Sequence, residues 1–351
     1  MELWTHTRSL PNLVRRAATR AEAEGWSGLA FSDSQNRSGD PYVAMGVAAA
    51  ITSRIQLSTG VTNPFTRHPA VTASAISSVQ AASEGRAALG IGRGDSSLAH
   101  LGLAPASVPV FRTYLDQVAT YLRGGSVPIT DVAREGFARL DDRIPLARVP
   151  ADSRIEWLGP LSVPTVPLWV VASGPKVIRT AAAIADRVVL AVGADPEKIA
   201  WGIREARAVR PDIAIGAFVN VLVGDDRDQL RNAAAGAVAG MARFGAMHGT
   251  AVGPVTTSDR AALESIPTHY DMTRHFDTAN DAAQLSPEFV DRYAILGPAA
   301  HVVERFLELA ELGIDRFHIL GPSQDIERDL ARRLHREFVE DVLPRVAGAV
   351  R

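Results

Sequence analysis

Residues 57–103 read LSTGVTNPFTRHPAVTASAISSVQAASEGRAALGIGRGDSSLAHLGL, and this stretch decides the fold. Ile55–Thr59 reads as a short strand, Gly60-Val61-Thr62-Asn63-Pro64 as a turn, and the residues after it as a helix. Arg86–Ile91 is a second strand, followed by a glycine-rich loop that ends in an acid, Asp95. Two strands joined by a helix run parallel, so the loops that follow them open on the same side. That is the side on which α/β barrels place their chemistry.

The same strand–helix rhythm extends in both directions. Upstream, Glu2–Thr5 and Gly28–Phe31 read as strands. Helical spacing from Leu10 to Ala21 stops at Gly25, and Asp40-Pro41 supplies an N-cap and a first-turn proline. Downstream come a helix over Val110–Leu122, the strand Leu168–Ala172, a helix Pro175–Ala185 and the strands Arg187–Val192 and Ile213–Val223. The last strand is Arg316–Leu320, before a closing helix. About eight strand–helix units exceed the usual six strands of a doubly wound sheet, so the expected fold is a (β/α)8 barrel. One domain should span residues 1–351, interrupted at about 126–167 and 226–291 by insertions over the barrel mouth, at the C-terminal ends of strands. A weak strand signal lies near Ile155–Leu158, and the second insertion shows no strand.

Composition narrows the function classes. The 351 residues are 46% hydrophobic and 22% charged, with a net charge of −2, which gives no support for a nucleic-acid or anionic-membrane partner. No cysteine is present, so thiol nucleophiles and zinc–thiolate sites are excluded. The nine histidines show no metal spacing such as HExxH, and His269 and His275 sit in a charged insertion as solvated side chains. No apolar run reaches the roughly 18 residues of a membrane span, and the chain starts without a signal peptide, so a cytoplasmic protein is expected.

The segments GVTNPFTRHPAVTAS and ALGIGRGDSSLAHLG, with Val171–Lys176 further on, resemble the luciferase-like monooxygenase superfamily. Within it they look like the branch of F420-dependent methylenetetrahydromethanopterin reductases. The resemblance implies a deazaflavin cofactor (coenzyme F420, with FMN as the alternative), a small-molecule substrate and a homodimer. It also implies that Gly60 and Val61 form a bulge with a non-prolyl cis peptide against the cofactor ring, flanked by Thr62 and Asn63.

Each candidate site has a plainer reading. Gly90-Ile91-Gly92-Arg93-Gly94-Asp95 fails as a dinucleotide fingerprint, because Asp95 stands where the third glycine belongs. It reads as a turn, or, following the resemblance, as the loop bordering ring and tail through Gly92, Arg93, Gly94 and Asp95. Asp95 is then a proton donor or orienting group; otherwise it caps Ser96–Leu101. Ser173-Gly174-Pro175-Lys176 opens a helix, where backbone N–H groups attract phosphate and Lys176, one of only two lysines, adds charge. Asp33 and Ser34 end the second strand. Related reductases carry a histidine at the Ser34 position, and His6 at the end of the first strand could compensate for it.

The expected function is therefore hydride transfer between reduced F420 and a small organic substrate, such as a methylene-tetrahydropterin or another C=N, C=C or C=O compound. Three rivals stand beside it: an FMN monooxygenase, a Schiff-base barrel using Lys176, and a barrel that binds cofactor without catalysis.

Overall fold

The computed structural model describes residues 1–132, 148–159, 163–280 and 285–349. Eight parallel strands close on themselves: β1 (Glu2–Arg8), β2 (Gly28–Ser32), β3 (Gln56–Thr59), β4 (Ala87–Ile91), β7 (Leu168–Ala172), β8 (Arg187–Leu190), β9 (Ala214–Val223) and β11 (Arg316–Leu320). They pair in that order, and β11 pairs with β1 to complete the circle. The (β/α)8 barrel is as expected, and all eight strands fall on segments legible in the sequence.

Alternation along the strands sorts the side chains. Leu3, Leu29, Leu57, Leu89 and Phe317 point outward, into one apolar layer beneath the helices. The interior is unusual for such a barrel, where branched aliphatic side chains generally dominate. Trp4, Trp169, Phe218 and His318 fill it, with ring centroids 4.7–5.4 Å from His318. Two glycines make the room: a Cβ on Gly28 would overlap the Trp4 indole, and one on Gly90 would overlap Trp169 and the Thr59 carbonyl.

His318 is fully buried, and neither ring nitrogen has a hydrogen-bond partner in the protein. Burial, then His6, Arg316 and Arg187, hold its pKa well below the ordinary value. The unfolded chain therefore takes up a proton here below about pH 6.5 that the folded chain refuses, so stability falls as pH drops through that value. His318→Phe fills the same space without orphaned nitrogens. It should raise stability by about 1–3 kcal/mol at pH 7 and flatten the loss of stability below pH 6.5. Chemical denaturation at pH 7 and pH 5 reads both effects, and a less stable variant would refute them.

The two insertions differ. The segment 126–167 follows a helix (Val108–Leu122) and leads into β7, so its described residues lie at the N-terminal ends of the strands, not over the mouth. The Pro167 carbonyl accepts from Leu89 N–H and the Pro164 carbonyl from Gln80 Nε2, tying the segment beneath the barrel. Its described part includes a short antiparallel pair, β5 (Ser126–Pro128) with β6 (Asp152–Arg154). The strand signal near Ile155–Leu158 corresponds to a 3-10 turn, Glu156–Leu158, just past β6. Residues 133–147 and 160–162 fall outside the described residues.

The second insertion does follow a strand, β9, and arches over the mouth with helices Arg227–Ala242 and Thr257–His269. Past it, a ninth short strand, β10 (Ile295–Gly297), pairs with the far half of β9. Three residues are too few to show a period. Among the described residues no helix is long and apolar enough to cross a membrane.

Candidate active site

A cavity of about 510 Å³ opens at the C-terminal ends of the barrel strands. The loop after β3 turns at a cis peptide between Gly60 and Val61. Beyond it, Thr62 N–H donates to Gly90 O at 3.0 Å and Gly92 N–H to Thr62 O at 3.0 Å, so β3 and β4 stay zipped past the bulge. Val61 thus faces the cavity beside Gly92, where a Cβ would sit 3.4 Å from the Val61 side chain. Small residues, Ala172, Ser173, Gly174 and Ala191, continue the wall, and a Cβ on Gly174 would meet nothing within 4 Å. A planar ring system fits such a surface.

Most of the residues singled out in the sequence meet here: His6, Asp33, Ser34, Gly60, Val61, Thr62, Gly92, Arg93, Gly94, Asp95, Ser173 and Gly174. Three do not reach the wall. Asn63 is buried behind it and accepts from Phe65 and Thr66 N–H at 3.0 and 3.1 Å, closing a turn. Pro175 is the first residue of the helix Pro175–Ile184, and Lys176 is exposed on that helix. A Schiff-base role for Lys176 has no cavity to act in.

Asp33 is committed to structure. Its carboxylate accepts from Thr62 Oγ1 and Arg67 Nη1 at 2.6 Å and from Gln35 Nε2 at 2.5 Å. Arg67 also reaches Asp40, the N-cap of helix Pro41–Ile51. Asp33 therefore pins the bulge through Thr62 and leaves no free carboxylate oxygen. Ser34 Oγ, by contrast, is buried without a protein partner.

His6 lies under Gly60, where a Cβ would stand 3.1 Å from its Nδ1, and its Nε2 has no partner. Burial pushes its pKa down to about 4, so the imidazole is neutral at ordinary pH.

Asp95 does not cap the helix after it: its side chain makes no bond to the first-turn amides. It forms an ion pair with Arg243, a residue of the second insertion. The buried Arg243 guanidinium lies 4.7 Å from the Tyr270 ring centroid and 5.0 Å from that of Phe244. Tyr270 OH is 2.7 Å from His275 Nδ1 and accepts from Phe276 N–H at 3.1 Å.

His275 corrects the expectation of a solvated side chain. It is 5% exposed, lines the cavity and packs on Phe276 at 4.0 Å. Burial, followed by the charges of Arg243 and Arg37, lowers its pKa to about 3. His269 is exposed, as expected. Among the described residues no cluster of three or more His, Asp or Glu is placed to hold a metal.

A profile of luciferase-like monooxygenases matches residues 3–316. The chain belongs to the luciferase-like monooxygenase family. The 5,10-methylenetetrahydromethanopterin reductase of Methanopyrus kandleri is 29% identical over 246 residues, 62% of this chain; the chain spans 64% of that relative's length. The reductase of the same name from Archaeoglobus fulgidus is 26% identical over 309 residues, covering 84% of this chain and 85% of the relative. A solved structure of a coenzyme F420-dependent tetrahydromethanopterin reductase from Methanopyrus kandleri shares the fold. Its TM-score is 0.68 at 21% identity, with 98% of both chains covered.

Sequence reasoning about this luciferase-like family member missed Arg243, Tyr270, His275 and Phe276. A signal existed: Arg243 follows a helix dominated by Ala and Gly, and HYDMTRHF (269–276) gathers four aromatic or imidazole rings in eight residues.

Proposed function

We propose that this protein is an F420-dependent oxidoreductase that moves a hydride between the deazaflavin and a small organic substrate in the cytoplasm. The observation that carries the reading is the convergence of three glycine-bearing loops on one cavity: Gly60–Val61, Gly92–Asp95 and Ser173–Gly174. Kinship with methylenetetrahydromethanopterin reductases supports the deazaflavin over FMN.

The residues fit such a group. Val61 and Gly92 would flank the ring. The helix Pro175–Ile184 begins at the wall with no side-chain cap; Pro175 has no N–H and Val177 N–H is turned to the Gly174 carbonyl at 3.1 Å, so the amides of Gly174 and Lys176 would receive a phosphate. When bound, the deazaflavin supplies or accepts the hydride.

The chain's own part is to orient the substrate and manage one proton. His275 takes the place of the histidine missing at Ser34. Because Tyr270 OH accepts from Phe276 N–H, its own hydrogen is free for His275 Nδ1. That leaves the ring proton on Nε2, as a neutral donor facing the cavity. A neutral imidazole polarises a carbonyl or imine without carrying a charge into an apolar site. Ser34, whose Oγ has no partner in the protein, lines the same wall.

The test is direct. The purified protein is titrated separately with F420 and FMN, and binding is followed by fluorescence. F420 should bind and FMN should not; FMN binding with oxygen-dependent turnover would replace this reading by the monooxygenase one.

We also propose a homodimer. Val43, Val71 and Val110 are 67%, 54% and 47% exposed on neighbouring helices, 41–51, 69–82 and 108–122. Such a surface favours a second copy. Light scattering should give twice the chain mass, and Val71→Arg should halve it. A monomeric wild type would end the proposal.

A further inference from the structure

The arginines around the cavity differ in burial and in partners: Arg243 is buried, Arg37 and Arg67 are half-buried, and Arg8 is exposed. Arg67 is held between Asp33 and Asp40, and Arg243 is paired with Asp95. Arg8 and Arg37 have no carboxylate within ion-pair distance among the described residues, although both line the cavity. Instead they converge on one neutral oxygen: Arg8 Nη2 donates to Gln324 Oε1 at 2.6 Å and Arg37 Nη2 to the same atom at 3.3 Å.

Arg37 is otherwise poorly satisfied. Its Nη2 reaches the His275 carbonyl at 3.4 Å, and its Nη1 is buried without a partner in the protein. The nearby Asp277 is paired with Arg274 at 3.6 Å. Two guanidiniums brought to one amide repel each other, and an unpaired buried guanidinium donor is costly. Both penalties vanish when an anion bridges the pair, since the planar fork of arginine matches a carboxylate or phosphate.

We propose that Arg8 and Arg37 form an anion-binding subsite that takes a carboxylate or phosphate carried by the enzyme's substrate. Assigning the anion to the substrate rests on the oxidoreductase reading above. The other source is the anionic tail of the coenzyme, and the barrel argues against it. Arg8 ends β1, whereas Ser173 and Gly174 follow β7, four strands away in a circle of eight and hence on the opposite rim. A tail received at the Pro175–Ile184 helix leads away from Arg8 and Arg37. The third acid-free arginine of the wall, Arg93, lies in the loop after β4 and is engaged with the Ala106 carbonyl.

The test uses inorganic phosphate and acetate as probes, titrated by calorimetry at low salt onto the protein without coenzyme. The wild type should bind at least one of them. Arg37→Met should bind at least ten-fold more weakly. Gln324→Glu, which places an internal carboxylate between the guanidiniums, should abolish binding while raising the melting temperature, an outcome that misfolding cannot mimic. Probe binding that is absent in the wild type, or unchanged in both variants, would overturn the subsite.

A second arm measures F420 and a tail-less deazariboflavin against wild type and Arg37→Met. Equal affinities in the two proteins support the substrate as the source. A selective loss for intact F420 would assign the subsite to the coenzyme and overturn the proposal. If neither deazaflavin binds the wild type while the probes still do, the oxidoreductase reading fails and the subsite stands.

Discussion

Asp95→Ala should lower the folding stability by about 3 kcal/mol, the lower end of the roughly 3–5 kcal/mol range for breaking a buried ion pair from one side. The lower end applies because the Asp95 side chain is 19% exposed, whereas that of Arg243 is only 9% exposed. Removing the acid strands a guanidinium between the Tyr270 and Phe244 rings with no counter-charge. Asp95→Asn keeps an oxygen acceptor and should cost less than Asp95→Ala. The double variant Asp95→Ala/Arg243→Met removes the stranded charge and should recover most of the loss, because the two sites are coupled. Urea denaturation of wild type, Asp95→Ala, Arg243→Met and the double variant closes the cycle. Additive losses would mean that the pair does not hold the second insertion to the barrel. Turnover separates a second point. A group that donates the proton in the reaction should lose roughly 10²-fold or more as Asn, while one that only anchors Arg243 should lose little.

The barrel was legible because its signals are local. A strand of four or five apolar residues, a glycine or proline turn and a helix cap are each written in consecutive residues, such as Asp40-Pro41 before a helix. The side of the barrel on which an insertion lies is also legible in principle, from whether it follows a strand or a helix. Residues 126–167 follow a helix, and their placement over the mouth neglected that order.

The candidate site divides along the same line. His6 lies near the C-terminal end of β1, and Gly60, Gly92 and Ser173 directly follow their strands, so their meeting follows from the topology alone. Asp95 ends such a loop as well, but its partner, Arg243, lies 148 residues away in the chain. Nothing in the spacing of either residue announces the other. The use of Asp33 as a structural acceptor, rather than a free acid, likewise depends on Arg67 and Thr62 arriving from another loop. Long-range pairs of this kind are set by how the second insertion and the bulge pack, which no periodicity records.

The largest effect on turnover should come from His275. His275→Ala removes the cavity's neutral donor and should cost about 10²-fold or more in kcat while coenzyme affinity stays within a few-fold. His275→Gln retains an N–H group on a side chain of similar reach and should recover part of the loss. Tyr270→Phe leaves the imidazole in place but frees its tautomer, because the 2.7 Å contact to Nδ1 is lost, so a smaller fall is expected. The pH profile adds a signature that a merely structural histidine would not leave. With a pKa near 3, the wild-type ring stays neutral and keeps its Nε2 proton throughout the range above about pH 4. No acidic limb near pH 6.5 should arise from it. In Tyr270→Phe the burial and the charges of Arg243 and Arg37 persist, so the profile should keep its shape while its height falls. An Ala variant within twofold of wild type would remove His275 from the chemistry. A wild-type limb near pH 6.5 that His275→Gln abolishes would show that the ring acts as a charged acid instead.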